Sequence, residues 1–167
     1  TLMSIAFGLL RPDAGSISIS GTTTSLRNPT DARRHGIGMV HQHFTSIPAF
    51  TVAENVALAA GWRLAPHESA ARIRRLAETT GFAVDPALRV ADLSAGLKQR
   101  VEVLKALAAD ARILLLDEPT SVLSPPDAEA LLRQIAEFRR RGVATVLITH
   151  KLREAITIAD RVTVLRR

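Results

Sequence analysis

Ten residues, Arg112 to Ser121 (Arg-Ile-Leu-Leu-Leu-Asp-Glu-Pro-Thr-Ser), constrain this chain more than any other stretch. Ile113 to Leu116 have the length and composition of a strand buried on both faces, and such strands belong to parallel sheets covered by helices. The run stops at two carboxylates and a proline. In an open parallel sheet, ligands collect beyond the carboxyl ends of the strands, so Asp117 and Glu118 are expected to face a ligand. Successive side chains point to opposite faces, which lets one acid address a metal ion and its neighbour a water molecule. The plainer alternative is an acidic pair that merely ends a core strand and begins a solvated turn, and the rest of the chain has to decide between them.

Two other segments have the same form. Gly36 to Gln42 is a core-strand candidate that ends in polar residues, and Val143 to Thr149 is expected to be a third buried strand that delivers His150 at its end. If the strands are parallel neighbours, Gln42, the acidic pair and His150 share one crevice. His41 and His43 form an H-x-H pair, but no third ligand stands at useful spacing, so zinc is set aside.

Helical signals fill the intervals. Leu2, Ile5, Ala6, Leu9 and Leu10 repeat at helical spacing, Pro12 to Gly15 turn the chain, and Ser16 to Ser20 alternate as a short strand closed by Gly21. Asn28-Pro29 starts a helix. Thr51 caps another through Ala60, and Pro66 opens one through Thr80. No strand pattern occurs between Phe44 and about Asp92, so this part reads as a helical insert between sheet-forming parts. Phe44, Phe50 and Trp62 fit either its core or a groove for a partner helix.

Leu93 to Arg100 (Leu-Ser-Ala-Gly-Leu-Lys-Gln-Arg) opens a further helix, with Ser94 as its cap. Gly96 leaves the first turn bare, so free N–H groups and the positive end of the helix dipole offer a phosphate site, with Lys98 and Arg100 adding charge. A capped amphipathic helix without a ligand is the plainer reading of the same residues. A helix from Asp127 to Arg141 follows, ended by Gly142. Lys151 to Ala159 is a short helix, and Arg161 to Leu165 a last strand.

With 167 residues, 47% of them hydrophobic, the chain can build one core, and no Pro/Gly/Ser tract divides it. The absence of cysteine excludes a disulfide scaffold and thiolate metal sites, and it fits a reducing compartment. No apolar run approaches the ~18 residues of a membrane span. The net charge of +6 is nearly all arginine. Arg72, Arg74 and Arg75, and Arg139 to Arg141, lie in helical patterns beside Glu68, Glu78 and Glu137 without interleaved aromatics, which reads as solvated helix faces rather than a nucleic-acid surface.

Together, Gln42 after a strand, residues 93–100, Ile-Leu-Leu-Leu-Asp-Glu-Pro-Thr at 113–120, and Thr149-His150 resemble the ATP-binding cassette family over essentially the whole chain. Within it, His41 to Phe44, Ser121 to Pro125 and His150 to Glu154 are most similar to the first cassette of importers for simple sugars or nucleosides. The resemblance implies an α/β fold, a P-loop NTPase-like (RecA-like), mostly parallel sheet with an inserted helical subdomain. Residues 1–43 and 109–167 would be the catalytic core, and about 44–108 the helical subdomain.

It also implies ATP and Mg²⁺ as cofactors. Asp117 would hold the ion through water, Glu118 would polarise the attacking water, His150 would touch the γ-phosphate, and Gln42 would link metal and water to the permease. Ser94 and Gly96 would bind the γ-phosphate of ATP held by a second cassette. The implied partners are that cassette, permease subunits and, indirectly, a solute-binding protein, at the cytoplasmic face of the plasma membrane; no nucleic acid is expected. The signature departs from the common pattern at Ala95 and Leu97, and Ser124 stands where many members carry aspartate.

A phosphate-binding loop needs G-x-x-x-x-G-K-[ST], and no Gly-Lys dipeptide occurs in this sequence. Thr1-Leu2-Met3 resembles the residues just after that lysine and serine. The expectation is therefore a chain that starts beyond the loop, with Thr1 at the α-phosphate and little ATPase activity as it stands. A nucleic-acid- or ribosome-associated ATPase and a noncatalytic partner domain remain the alternatives. Salt-sensitive DNA binding would mark the first, while Glu118 and His150 speak against the second.

Overall fold

The computed structural model describes residues 1–165. Its centre is a three-stranded parallel sheet in the order β3 (Ile37–Val40), β4 (Ile113–Asp117), β5 (Ala144–Ile148), so the stretch that opened the sequence reading is the middle strand. Ile37 pairs with Ile113 and Ile113 with Ala144, and the ladder runs out to Asp117 opposite Ile148. Alternation along β4 feeds two cores. Leu114 and Leu116 join the larger cluster, built with α3 (Val52–Ala60), α4 (Pro66–Thr80), α5 (Ala95–Ala108) and α6 (Pro125–Arg140). Leu115 points the other way, to Met3 of α1 (Leu2–Ala6), Phe7, Leu26 and Ala32 of α2 (Pro29–Arg34).

Local chemistry explains the boundaries. Asn28 Oδ1 accepts from the Asp31 amide at the start of α2, and Thr51 with Glu54 forms a reciprocal capping box on α3, which ends at Gly61 in the left-handed conformation. Gly38 on β3 is required by packing. A Cβ there would lie 2.8 Å from the Ala111 Cβ and 3.0 Å from that of Ala106, so only glycine lets α5 approach the strand so closely.

Four expectations need correction. Ser16 to Ser20 do contain a strand, β1 (Ile17–Ile19), but Gly21 is the tip of a hairpin. Ser20 and Gly21 both have positive φ, and the chain returns as β2 (Thr22–Thr24). Three threonines carry no apolar alternation, which is why the returning strand was silent in the sequence. The first helix stops at Ala6. Gly8 turns with φ of 75° against the Asn28 backbone, so Leu9 and Leu10 leave the helix half-exposed.

Strand β5 is not buried on both faces. Ala144 and Val146 are exposed, because among the described residues β5 pairs with β4 alone and is the sheet's edge. Arg161 to Leu165 form no strand. A β-pattern needs a neighbouring edge to bond to, and this segment makes no ladder with any described strand, leaving Val162, Val164 and Leu165 exposed. After β5 comes α7 (Leu152–Ile158).

Candidate functional site

The three strand tips do converge. Glu118 directly follows β4, and its amide bonds to the Ile148 carbonyl of β5 at 3.0 Å, which continues the ladder one step past the strand end. Its φ is 47°, a left-handed conformation that glutamate seldom adopts, and it breaks the in-out alternation at that residue. The carboxylate is then shared between the neighbours. Gln42 Nε2, beyond β3, donates to Glu118 Oε2 at 3.4 Å, and His150 Nδ1, beyond β5, lies 3.2 Å from Glu118 Oε1. Glu118 is about one-quarter exposed, whereas the His150 side chain is 66% exposed. Asp117 is half-buried at the end of β4, one position before this cluster.

The remaining sequence-selected residues bond elsewhere or not at all. Ser94 caps α5, its hydroxyl accepting from the Leu97 amide at 3.3 Å. Gly96 faces the start of α6. A Cβ at this position would meet the Asp127 carboxylate at 3.0 to 3.3 Å, and Asp127 is itself held by the Ser124 hydroxyl at 2.7 Å. In the first turn of α5 only Gly96 lacks a side chain, and beside it stands an acid that spacing did not reveal. Thr1 is the exposed N-cap of α1 and makes no side-chain capping bond. None of these three has a hydrogen bond or ion pair to Gln42, Glu118 or His150 among the described residues. Phe7, at the far end of α1, sets its ring edge-on to His41 at 6.3 Å.

Oxygen and amide donors at a strand tip suit a hard divalent cation. Mg²⁺ keeps most of its waters and takes one or two carboxylates plus ligand phosphates; Asp117, at the end of β4, is a carboxylate of that kind, and no group of three or more His, Cys, Asp or Glu that could hold a metal occurs among the described residues.

Sequence reasoning missed Glu102. It is 4% exposed on α5, and its carboxylate accepts from the amides and hydroxyls of both Thr45 and Ser46 at 2.7 to 3.0 Å and from Lys105 Nζ at 2.9 Å. Burial alone would raise its pKa; the Lys105 charge and the bonds from Lys105, Ser46 and Thr45 outweigh that and hold the carboxyl below its ordinary value. The segment just after Gln42 is in this way fastened to the helix that begins at Ser94. A cleft of about 80 Å³ opens beside it, lined by Phe7, Arg33, Met39, His41, Glu102 and Lys105 among others. Trp62 is half-buried against the larger core, under the Arg72 guanidinium, 5.1 Å from the ring centroid.

Residues 1–121 match the family described as ABC transporter. A glucose import ATP-binding protein of Haloferax volcanii is 43% identical over 198 residues, covering 99% of this chain and 36% of the relative. A nucleoside import ATP-binding protein of Lactococcus lactis is 42% identical over 171 residues, covering 100% of this chain and 34% of the relative. The chain therefore spans about a third of the length of these curated relatives. Among solved structures, a dimeric bacterial ABC transporter cassette superposes with a TM-score of 0.76 at 26% identity, over 93% of this chain and 71% of that one. A nucleotide-free ATP-binding cassette superposes with a TM-score of 0.81 at 19% identity, over 95% and 68%, which speaks to the fold alone.

Proposed function

Because the chain belongs to the ABC transporter family of ATP-binding cassettes, we propose that it is part of the ATP-binding and ATP-hydrolysing subunit of an importer for a small solute, a sugar or a nucleoside. The observation that carries the reading is Glu118, a carboxylate in a strained backbone conformation, met from either side by Gln42 and His150 at three adjacent strand tips. The names of the relatives, glucose and nucleoside import ATP-binding proteins, support the solute class.

In this reading Glu118 accepts the proton of the attacking water, and His150 turns from the carboxylate to hydrogen-bond the γ-phosphate. Mg²⁺, when bound, neutralises charge developing on the phosphate oxygens. Asp117 would hold the ion through water, while Gln42 senses whether water and ion are in place and passes that to the segment at Thr45 and Ser46. Thr1 at the N-cap of α1 would meet the α-phosphate. By the family resemblance, Ser94 and Gly96 would contact the γ-phosphate carried by a second cassette.

The helical part, about 44–108, would meet the permease and turn closure of the cassette pair into alternating access for solute handed over by a binding protein. No described helix is long and apolar enough to cross a membrane. Attachment at the cytoplasmic face would thus run through the permease.

The test is Glu118→Gln in the full-length subunit assembled with its permease. ATP affinity should be retained while turnover falls about 10²- to 10⁴-fold. Turnover at the parent rate would refute the assignment of the base.

A further inference from the structure

Beyond the last ladder bond, Glu118 N to Ile148 O, no backbone–backbone hydrogen bond among the described residues ties the loop of Glu118 to the loop of His150. Side chains do so instead. The Thr120 hydroxyl, two residues past Glu118, lies 2.8 Å from both carboxylate oxygens of Glu154. The Thr149 hydroxyl, on the residue just before His150, donates to Glu154 Oε2 at 3.0 Å and accepts from the Lys151 amide at 3.0 Å. Lys151 Nζ closes the group, 3.2 Å from Glu154 Oε1 and 3.3 Å from the Thr120 carbonyl. Thr120 is 2% exposed and Glu154 9%.

A carboxylate this buried needs its donors, and here they come from two different loops, each within two residues of a side chain at the site. Glu118 sits in a conformation that persists only where the surroundings enforce it. We propose that Glu154 is a positioning residue, one that locks the loop carrying Glu118 to the loop carrying His150 through Thr120 and Thr149 and thereby sets the spacing of the two reacting side chains. The inference rests on the reading of Glu118 as the base. A Thr–Glu pair that only lends stability differs in its consequence: it lowers the melting temperature and leaves the rate of folded enzyme alone.

The experiment compares Thr120→Val, which keeps shape and removes the hydroxyl, with Thr120→Ser, which restores it, and with Glu154→Gln, in the assembled transporter. Thr120→Val and Glu154→Gln should each lower kcat about tenfold or more while the KM for ATP stays within about twofold. They should also speed amide hydrogen exchange at residues 149–151. Thr120→Ser should return both readouts to within about twofold of the parent.

Equal kcat in the valine, serine and parent proteins, with only thermal stability differing, overturns the proposal. If the parent itself hydrolyses no ATP, the functional reading has failed. Exchange at 149–151 then still decides the clamp, and exchange unchanged in Thr120→Val refutes it.

Discussion

Replacing Glu102 by glutamine removes one charge from a nearly closed site, and its cost can be worked from the bonds present. The carboxylate is 4% exposed and Lys105 has only 13% of its side chain in solvent, so bulk water screens the pair little, although the adjoining cleft gives water a way to it. Breaking a buried pair outright costs ~3 to 5 kcal/mol, because the surviving charge is left without a counter-charge. Glutamine still offers one carbonyl oxygen to the Thr45 and Ser46 amides, but its NH₂ confronts the Lys105 ammonium, so ~2 to 3 kcal/mol is the expected loss.

Trp62 is the sole tryptophan and reports unfolding in urea. With a slope of ~2 kcal/mol per M, the midpoint should fall by ~1 to 1.5 M. The sign of the pH dependence is fixed by the folded carboxyl lying below its ordinary value. A group of that kind adds stability that is fully present above the unfolded pKa of about 4.3 and is lost as pH falls through the folded value. The gap between parent and variant should therefore be flat near neutral pH and narrow in acid. A gap below ~0.5 kcal/mol at pH 7, the size of an ordinary surface change, or one that widens in acid, would refute the reasoning.

Gly38→Ala has an ordinary backbone conformation to occupy but no room, with the Ala111 and Ala106 methyls at 2.8 and 3.0 Å, so it should lose ~1 to 3 kcal/mol by overpacking in the same urea assay. Phe138→Ala empties a fully buried site whose ring sits 5.6 Å from that of Phe82, joining α6 to the segment after α4, and should cost ~3 to 5 kcal/mol. Arg75→Ala, on an exposed helix face, is the matched control and should stay within ~0.5 kcal/mol.

What could be read from the sequence was what local chemistry encodes. The apolar run at Ile113 named the central strand, Asn28, Thr51 and Ser94 marked helix starts, and Gln42, Glu118 and His150, each read as following a strand, do meet through their side chains. What could not be read depends on distant pairing. Glu102 meets Thr45 and Ser46 across 57 and 56 positions, and Glu154 meets Thr120 across 34, with no periodicity to announce either. Arg161 to Leu165 failed for the same reason in reverse, since alternation describes a strand's faces and says nothing of whether an edge waits beside it. Asp127 beside Gly96 is likewise a product of how α6 meets α5, visible only once both are placed.

The central claim is that Glu118 is the base, aimed by its neighbours at the terminal phosphate. The most direct test is a structure of the assembled subunit with Mg²⁺ and a non-hydrolysable ATP analogue. The account predicts a water within about 3 Å of the Glu118 carboxylate and in line with the γ-phosphate, with His150 now on a γ-oxygen and Asp117 on the side of the ion. A bound triphosphate with Glu118 turned away from it, and no water between them, would contradict it.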